Sequence, residues 1–353
     1  MAGQAQPEGA SGSVLGIDTH KLTHVAAIVD GLGRMQGTFA FAATDAGTIA
    51  LLTWAAAHGS PQAAGIEGTG SYGYQLTRAL QVAGITVLEV NRPDRANRRR
   101  KGKSDPVDAE AAARAVLSGQ ATAIPKNREG PVESLRALTI ARNSAVKATT
   151  TASHQIKAIL VGADQQLRDA MQVQSLLELA TRASALAPID GQRLALVSLG
   201  RRWLQLHVEV LELDTMIRTI VRATAPALLE RPGIGIHSAA QLLMTAGGNP
   251  ERLRNDAAFA ALCGVSPVQA SSGQTHRHRL SRGGDRAANN ALWTIANNRM
   301  IHDLHTREFA ARRKATGDSR NDTLRVLKRY IARETFALIR DALRRDEALG
   351  QAA

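Results

Sequence analysis

One cysteine, Cys263, stands in a chain of 353 residues, so neither an internal disulfide nor a thiolate zinc site can be assembled within it. A reducing, cytoplasmic setting is the expectation. Aromatic residues make up only 3% of the chain, which argues against base recognition on stacked rings. No apolar run approaches the roughly 20 residues that a membrane span needs. The leader, residues 1–13, has neither the basic nor the apolar part of a secretory signal and reads as disordered. Positive charge, by contrast, is plentiful. The 44 Lys and Arg against 31 Asp and Glu leave a formal net charge of +13, a surface potential suited to a polyanion, most commonly nucleic acid. The length suggests two or three domains.

Val14 to Asp18, Thr23 to Asp30 and Met35 to Phe41 read as three strands, the last two joined by a turn at Gly31 to Gly33. Thr44 suits a helix N-cap, and the helix it opens ends near His58 and Gly59. A strand over Ala63 to Glu67, a helix over Tyr72 to Ala83 and a strand over Ile85 to Val90 complete the order β-β-β-α-β-α-β. Three antiparallel strands followed by strands alternating with helices is the arrangement of the ribonuclease-H-like fold. The sequence therefore predicts an α/β domain over residues 14–130. A helical region, 131–225, and a mainly helical C-terminal domain, 226–349, follow. Helices are expected at Pro106 to Leu117, at Val132 to Val161 and from Ser175 to Ala223, the last broken by Pro188 and Gly191. Leu194, Val197, Leu204, Val208 and Leu211 recur at near-heptad spacing. That pattern fits either an antiparallel helical pair packed on itself or an arm that dimerises.

Four carboxylates stand out by position. Asp18 closes the first strand in LGIDTH, and Glu67 closes the fourth in AGIEGTG. In the predicted sheet these strands are neighbours. Asp105 and Asp108 open a helix in KSDPVDAE, and their i, i+3 spacing puts them on one helical face. Converging carboxylates repel unless cations sit among them, and an all-oxygen donor set favours Mg²⁺ or Mn²⁺. Two such ions activate the attacking oxygen and stabilise the leaving oxygen in phosphodiester cleavage. Taken singly, each residue has a plainer role: Asp105 before Pro106 is also an ordinary N-cap, and Asp108 would then complement the helix dipole. Nucleotide-binding kinases of the same fold share the opening G-I-D, but GIEGTGSYG lacks their Asp-x-Gly pattern.

Positive charge clusters around this site and again further on. Arg98, Arg99, Arg100, Lys101 and Lys103 precede Asp105. In residues 264–293, Ser271-Ser272-Gly273 is followed by Arg277, Arg279, Arg282 and Arg286. A serine hydroxyl needs a base, a metal or a positive environment to act as a nucleophile, and arginines beside a phosphate supply part of that environment. These arginines also fit a face that only positions phosphates, and the helix after Gly284 offers its N-terminus to one. Pro232-Gly233-Ile234-Gly235 fits a phosphate-contacting hairpin or a plain turn. Arg307, Arg312, Arg313, Lys314, Arg320, Arg325, Lys328, Arg329 and Arg333 form a second basic region.

GIDTHKLTHVAAIVD, KSDPVDAE, PGIGIHSAAQLLM, FAALCGVSPVQASSG and RLSRGGDRAANNAL together resemble the IS110 family of insertion-sequence transposases, over nearly the whole chain. The resemblance implies a RuvC-like DEDD domain whose motif falls on Asp18, Glu67, Asp105 and Asp108. It also implies a C-terminal domain whose serine, Ser272 rather than Ser271, attacks DNA to form a phosphoserine. It further implies donor and target DNA as substrates, an element-encoded noncoding bridge RNA as guide, and a homo-oligomer. Gln274-Thr275-His276-Arg277 departs from the Gly-rich step that many relatives carry after the serine. Two other readings stand beside this one: a junction-resolving endonuclease in which water attacks, and a nucleic-acid-binding protein that has lost catalysis.

Overall fold

The computed structural model describes residues 12–90, 104–269, 278–279, 281 and 283–352. The chain divides into two compact units, Met1–Arg128 and Glu129–Ala353.

In the first unit the strands are Val14–Thr19 (β1), Thr23–Val29 (β2), Met35–Ala42 (β3), Ala63–Ile66 (β4) and Thr86–Glu89 (β5). The helices are Asp45–Ala57 (α1), Tyr74–Val82 (α2) and Asp105–Leu117 (α3). The strands form one mixed sheet in the order β3-β2-β1-β4-β5. β1 is antiparallel to β2 and β2 to β3, whereas β1 runs parallel to β4 and β4 to β5. The expected adjacency of the first and fourth strands is thus present.

β1 is apolar from Val14 to Ile17 because both of its faces are covered there. Leu15 and Ile17 enter the core under α1 and α2, with Leu51, Ala55, Leu76 and Leu80. Val14 and Gly16 face the other way, toward α3. Local signals in the sequence do what they promise. Asp30 accepts hydrogen bonds from the backbone N–H groups of Leu32 and Arg34 at 3.0 and 2.8 Å, fixing the hairpin, and Thr44 Oγ1 caps α1 by accepting from Gly47 N at 3.2 Å.

The approach of α3 depends on two glycines. Gly16 and Gly65 are register partners on β1 and β4. A Cβ on Gly16 would fall 2.0 Å from the Ala109 carbonyl oxygen, and one on Gly65 would fall 2.6 Å from that of Ala112. Any side chain at either position would lift the helix off the sheet.

The second unit is mostly helical. Its helices are Gly130–Val161 (α4), Gln165–Ala170 (α5), Leu176–Ser184 (α6), Gly191–Thr224 (α7), Pro226–Leu229 (α8), Ile236–Ala246 (α9), Asp256–Leu262 (α10), Arg286–His302 (α11), Leu304–Ala315 (α12) and Arg320–Ala352 (α13). Val268–Gln269 (β6) and His278–Arg279 (β7) pair as a short antiparallel ladder. α4 and α7 pack antiparallel, joined by an Arg142–Asp214 ion pair and by Trp203 Nε1 donating to Ser153 Oγ at 2.8 Å. The buried stripe of α7 runs through Leu196, Val197, Gly200, Trp203, Ile217 and Val221. It shares only Val197 with the near-heptad set: Leu194, Val208 and Leu211 are exposed, because α4 and α6 cover a face rotated from theirs. The main core gathers Leu242, Leu243, Phe259, Leu292, Ile331 and Phe336 from α9, α10, α11 and α13. No helix among the described residues is long and apolar enough to cross a membrane.

Candidate functional site

The alternation of β1 sends Val14, Gly16 and Asp18 to the face that α3 covers. Asp18 lies at the C-terminal end of that row and is 8% exposed. Glu67 is the next residue after β4, and the parallel register with β1 continues into it: Glu67 N donates to the Ile17 carbonyl at 3.2 Å, and Thr19 Oγ1 donates to the Glu67 carbonyl at 2.7 Å. Its backbone is thereby pinned beside the end of β1, and its half-buried side chain belongs to the same end of the sheet.

α3 supplies the other two carboxylates. Its N-cap is Ser104, whose side chain makes no capping bond, and Asp105 and Pro106 occupy the first two helical positions. Asp105 is therefore not the N-cap that Asp-Pro alone would suggest, and its carboxylate is turned to other use. Asp108, one turn on, is 5% exposed.

His20 enters this group without having been singled out from the sequence. Its Nε2 lies 3.2 Å from Asp18 Oδ2 and 3.4 Å from Asp105 Oδ1. One donor atom from each of Asp18, His20 and Asp105 lies within 4.8 Å of the others. The signal was present, since residues two apart in an extended segment share a face, and Asp18-Thr19-His20 is such a spacing. Attention to carboxylates alone passed over it.

Electrostatics single out Asp18. Burial raises the Asp18 carboxyl above its ordinary value; His20 pulls it back, while the neighbouring charges of Asp105 and Asp108 push it up further. A buried acid beside two others, with one imidazole among them, is a donor set that accepts a divalent cation.

The serine stretch is placed only by its flanks. Ser271, Ser272, Arg277 and Arg282, like Arg98, Arg99, Arg100, Lys101 and Lys103, lie outside the described residues. Residues 270–277 connect β6 to β7, and Arg279 pairs with Val268 in that ladder. Arg286 opens α11 and is exposed. The N-terminus of α11 is not open to a phosphate in the way the sequence suggested. Asp285 Oδ1 already accepts from Ala287 N and Ala288 N at 2.8 and 3.3 Å, and Asp285 Oδ2 accepts from Thr245 Oγ1 at 2.7 Å. In the second basic region several cations are committed to ion pairs, Arg313 with Asp318, Arg325 with Asp322 and Arg329 with Asp256, and Lys328 is buried.

Comparison with known proteins finds two family models that match this chain. A family model for DEDD transposases of IS110 type, described as a transposase, matches residues 15–163. A second model, described as the transposase IS116/IS110/IS902 family, matches residues 225–311. The chain is also similar to the insertion element IS110 uncharacterized 43.6 kDa protein of Streptomyces coelicolor, 30% identical over 147 residues. That stretch is 41% of this chain and 36% of the relative, so the match spans about a third of the relative's length. With one model on the β1-to-α4 region that carries the carboxylates and the other on the region that carries the serine stretch, the chain belongs to the IS110 family of transposases.

Proposed function

We propose that this chain cuts and rejoins DNA as the transposase of an insertion sequence. On this reading Asp18, Glu67, Asp105 and Asp108 hold Mg²⁺ or Mn²⁺, and Ser272 is the nucleophile. The observation that carries the metal half is the meeting of Asp18, Asp105 and His20 at the exit of β1, with Asp108 close enough to raise Asp18. The strand order and the position of the acids support a ribonuclease-H-like, RuvC-type domain. A bound cation would supply Lewis-acid activation of a phosphoryl oxygen. The protein's own part is to hold the acids rigidly, through the register of β1 with β4 and the seating of α3, so that little reorganisation is needed when phosphate arrives.

The serine half draws its support from the family and from the basic residues around residues 271–272. Ser272 Oγ would attack the phosphorus, forming a phosphoserine and releasing a strand-end hydroxyl. Arg277, Arg279, Arg282 and Arg286, with Arg98, Arg99, Arg100, Lys101 and Lys103, would contact phosphates. Guidance by an element-encoded bridge RNA and assembly into a homo-oligomer belong to the same reading.

One observation favours a second reading. The acidic cluster is assembled entirely within the first unit, as it would be in a junction-resolving nuclease that uses water and needs no serine.

Both readings are tested by placing the gene with its native flanking DNA on a plasmid and amplifying recombination junctions. The proposal expects junctions from the wild type and none from Ser272→Ala or Asp18→Ala. Junctions from Ser272→Ala, with none from Asp18→Ala, would replace it with water-mediated cleavage.

A further inference from the structure

Lys328, on α13, is 6% exposed. Its Nζ donates to Asn289 Oδ1 at 2.9 Å, an acceptor that Asn289 keeps turned to it by donating its own Nδ2 to the carbonyls of Cys263 and Gly264 at 3.2 and 2.8 Å. An ammonium has three donors, and one amide oxygen does not neutralise it. Among the described residues no carboxylate pairs with Lys328, and three acids that α13 carries or contacts are taken: Asp322 by Arg325, Asp256 by Arg329 and Glu334 by Arg299. Residues 270–282 contain no Asp or Glu that would do so instead. Burial and the charge of Arg325 both push this lysine below its ordinary value. A buried cation without a counter-charge is costly to the folded state.

Lys328 also faces a space. A cavity of about 300 Å³ is lined by Gly264, Ser266, Ser281, Arg325, Lys328 and Tyr330, among others. Gly264 and Ser266 lead into β6, and Ser281 follows β7, so this cavity sits at the foot of the connection that carries Ser271 and Ser272.

We propose that the cavity receives a phosphodiester group of the DNA, with the Lys328 ammonium as its buried cation. The assignment rests on the reading that the chain acts on DNA through the serine, and it adds a binding group that lies beyond the family-matched residues 225–311. The lysine's missing counter-charge is then the ligand.

The test is thermal melting of the full-length protein with inorganic phosphate, together with the salt dependence of binding to a short DNA duplex. Phosphate should raise the wild-type melting temperature. Lys328→Met should melt at or above the wild type without ligand, because an uncompensated charge is gone, and should not respond to phosphate. Its slope of log affinity against log salt should be shallower by about one. Lys328→Gln, which keeps a donor toward Asn289 and removes the charge, should lose the phosphate response as completely. A phosphate response that survives in both variants makes Lys328 a structural tether and overturns the proposal. A lost phosphate response with an unchanged DNA slope marks a free-ion site and overturns the DNA assignment. Ser272→Ala should keep both responses. If Ser272→Ala also recombines normally, the serine chemistry fails while a Lys328-dependent shift and slope still support the cavity.

Discussion

Gly16 and Gly65 stand side by side in register on β1 and β4, and the backbone of α3 rests on both. The carboxylates of the candidate metal site come from both partners in this contact, Asp18 and Glu67 from the strand ends and Asp105 and Asp108 from the helix start. Replacing Gly16 by alanine forces a methyl group into the Ala109 carbonyl. Gly16→Ala is expected to cost about 3 kcal/mol, the upper end of the range for overpacking. Gly191→Ala is the control: it has nothing within 4 Å of the new methyl and lies at the start of α7, so it should be neutral or gain up to about 1 kcal/mol. Denaturant melts of the two variants check this, and equal losses would refute the role given to Gly16.

Asp18 is held among acids at a cost, since burial and the charges of Asp105 and Asp108 all oppose its ionisation. Asp18→Asn keeps the shape and removes the charge. In EDTA the variant should melt above the wild type. Addition of Mg²⁺ or Mn²⁺ should stabilise the wild type, by the logarithm of ligand over dissociation constant, and leave the variant unmoved. A variant that melts lower in EDTA would mean that Asp18 is satisfied without a cation.

His20 reaches Asp18 and Asp105 with one nitrogen. Imidazole is a better partner for Mn²⁺ than for Mg²⁺, so the two metals should report differently on its removal. His20→Ala is expected to weaken Mn²⁺ binding about tenfold, the lower end of what a supporting or ligating side chain contributes, and to weaken Mg²⁺ binding less. Titration calorimetry with each metal decides it. Equal effects on both would confine His20 to orienting the carboxylates.

Much of the first unit was legible in the sequence because its signals are local. Thr44 as a cap, the turn at Gly31 to Gly33 and the apolar run that opens β1 each need only their neighbours to be understood, and the observed strand and helix ends lie within two residues of expectation. Of the two roles that the sequence leaves open for Asp105, the cap falls to Ser104, and the aspartate lies beside His20 instead; Asp-Pro satisfies the local rule for a cap and cannot tell the two apart. The spacing of Leu194, Val208 and Leu211 describes a stripe, but which stripe is buried depends on α4 and α6, and nothing within α7 records where they lie. Lys328 was legible only as one charge among nine in a basic region, because its burial is decided by α11 packing against α13.

Between α4 and α7 the indole N–H of Trp203 has Ser153 Oγ as its acceptor, 2.8 Å away, and both residues are buried. Ser153→Ala leaves that donor without the partner. The expected loss is about 1–3 kcal/mol, the cost of an unsatisfied buried polar group. Trp203→Phe in the same background removes the donor, so the double variant should lose less than the sum of the two single changes. Additive losses would show that the hydrogen bond contributes nothing of its own.

His24 provides the pH test. It is 3% exposed, packs edge-on against Phe41 with ring centroids 5.4 Å apart, and its Nδ1 accepts from the backbone N–H of His20 at 3.3 Å. Burial, and then His20, hold its pKa below the ordinary histidine value. A base whose folded pKa is depressed binds protons better when unfolded, so its neutral form favours folding above the unfolded pKa of about 6.5, and that advantage is lost as the pH falls through it. The wild-type melting temperature is therefore expected to drop between about pH 7.5 and pH 5.5. His24→Asn, whose amide oxygen takes over the bond from His20 and carries no titrating proton, should flatten that drop even if it melts lower at neutral pH. Parallel melting profiles for the two proteins would show that the acid sensitivity arises elsewhere in the chain.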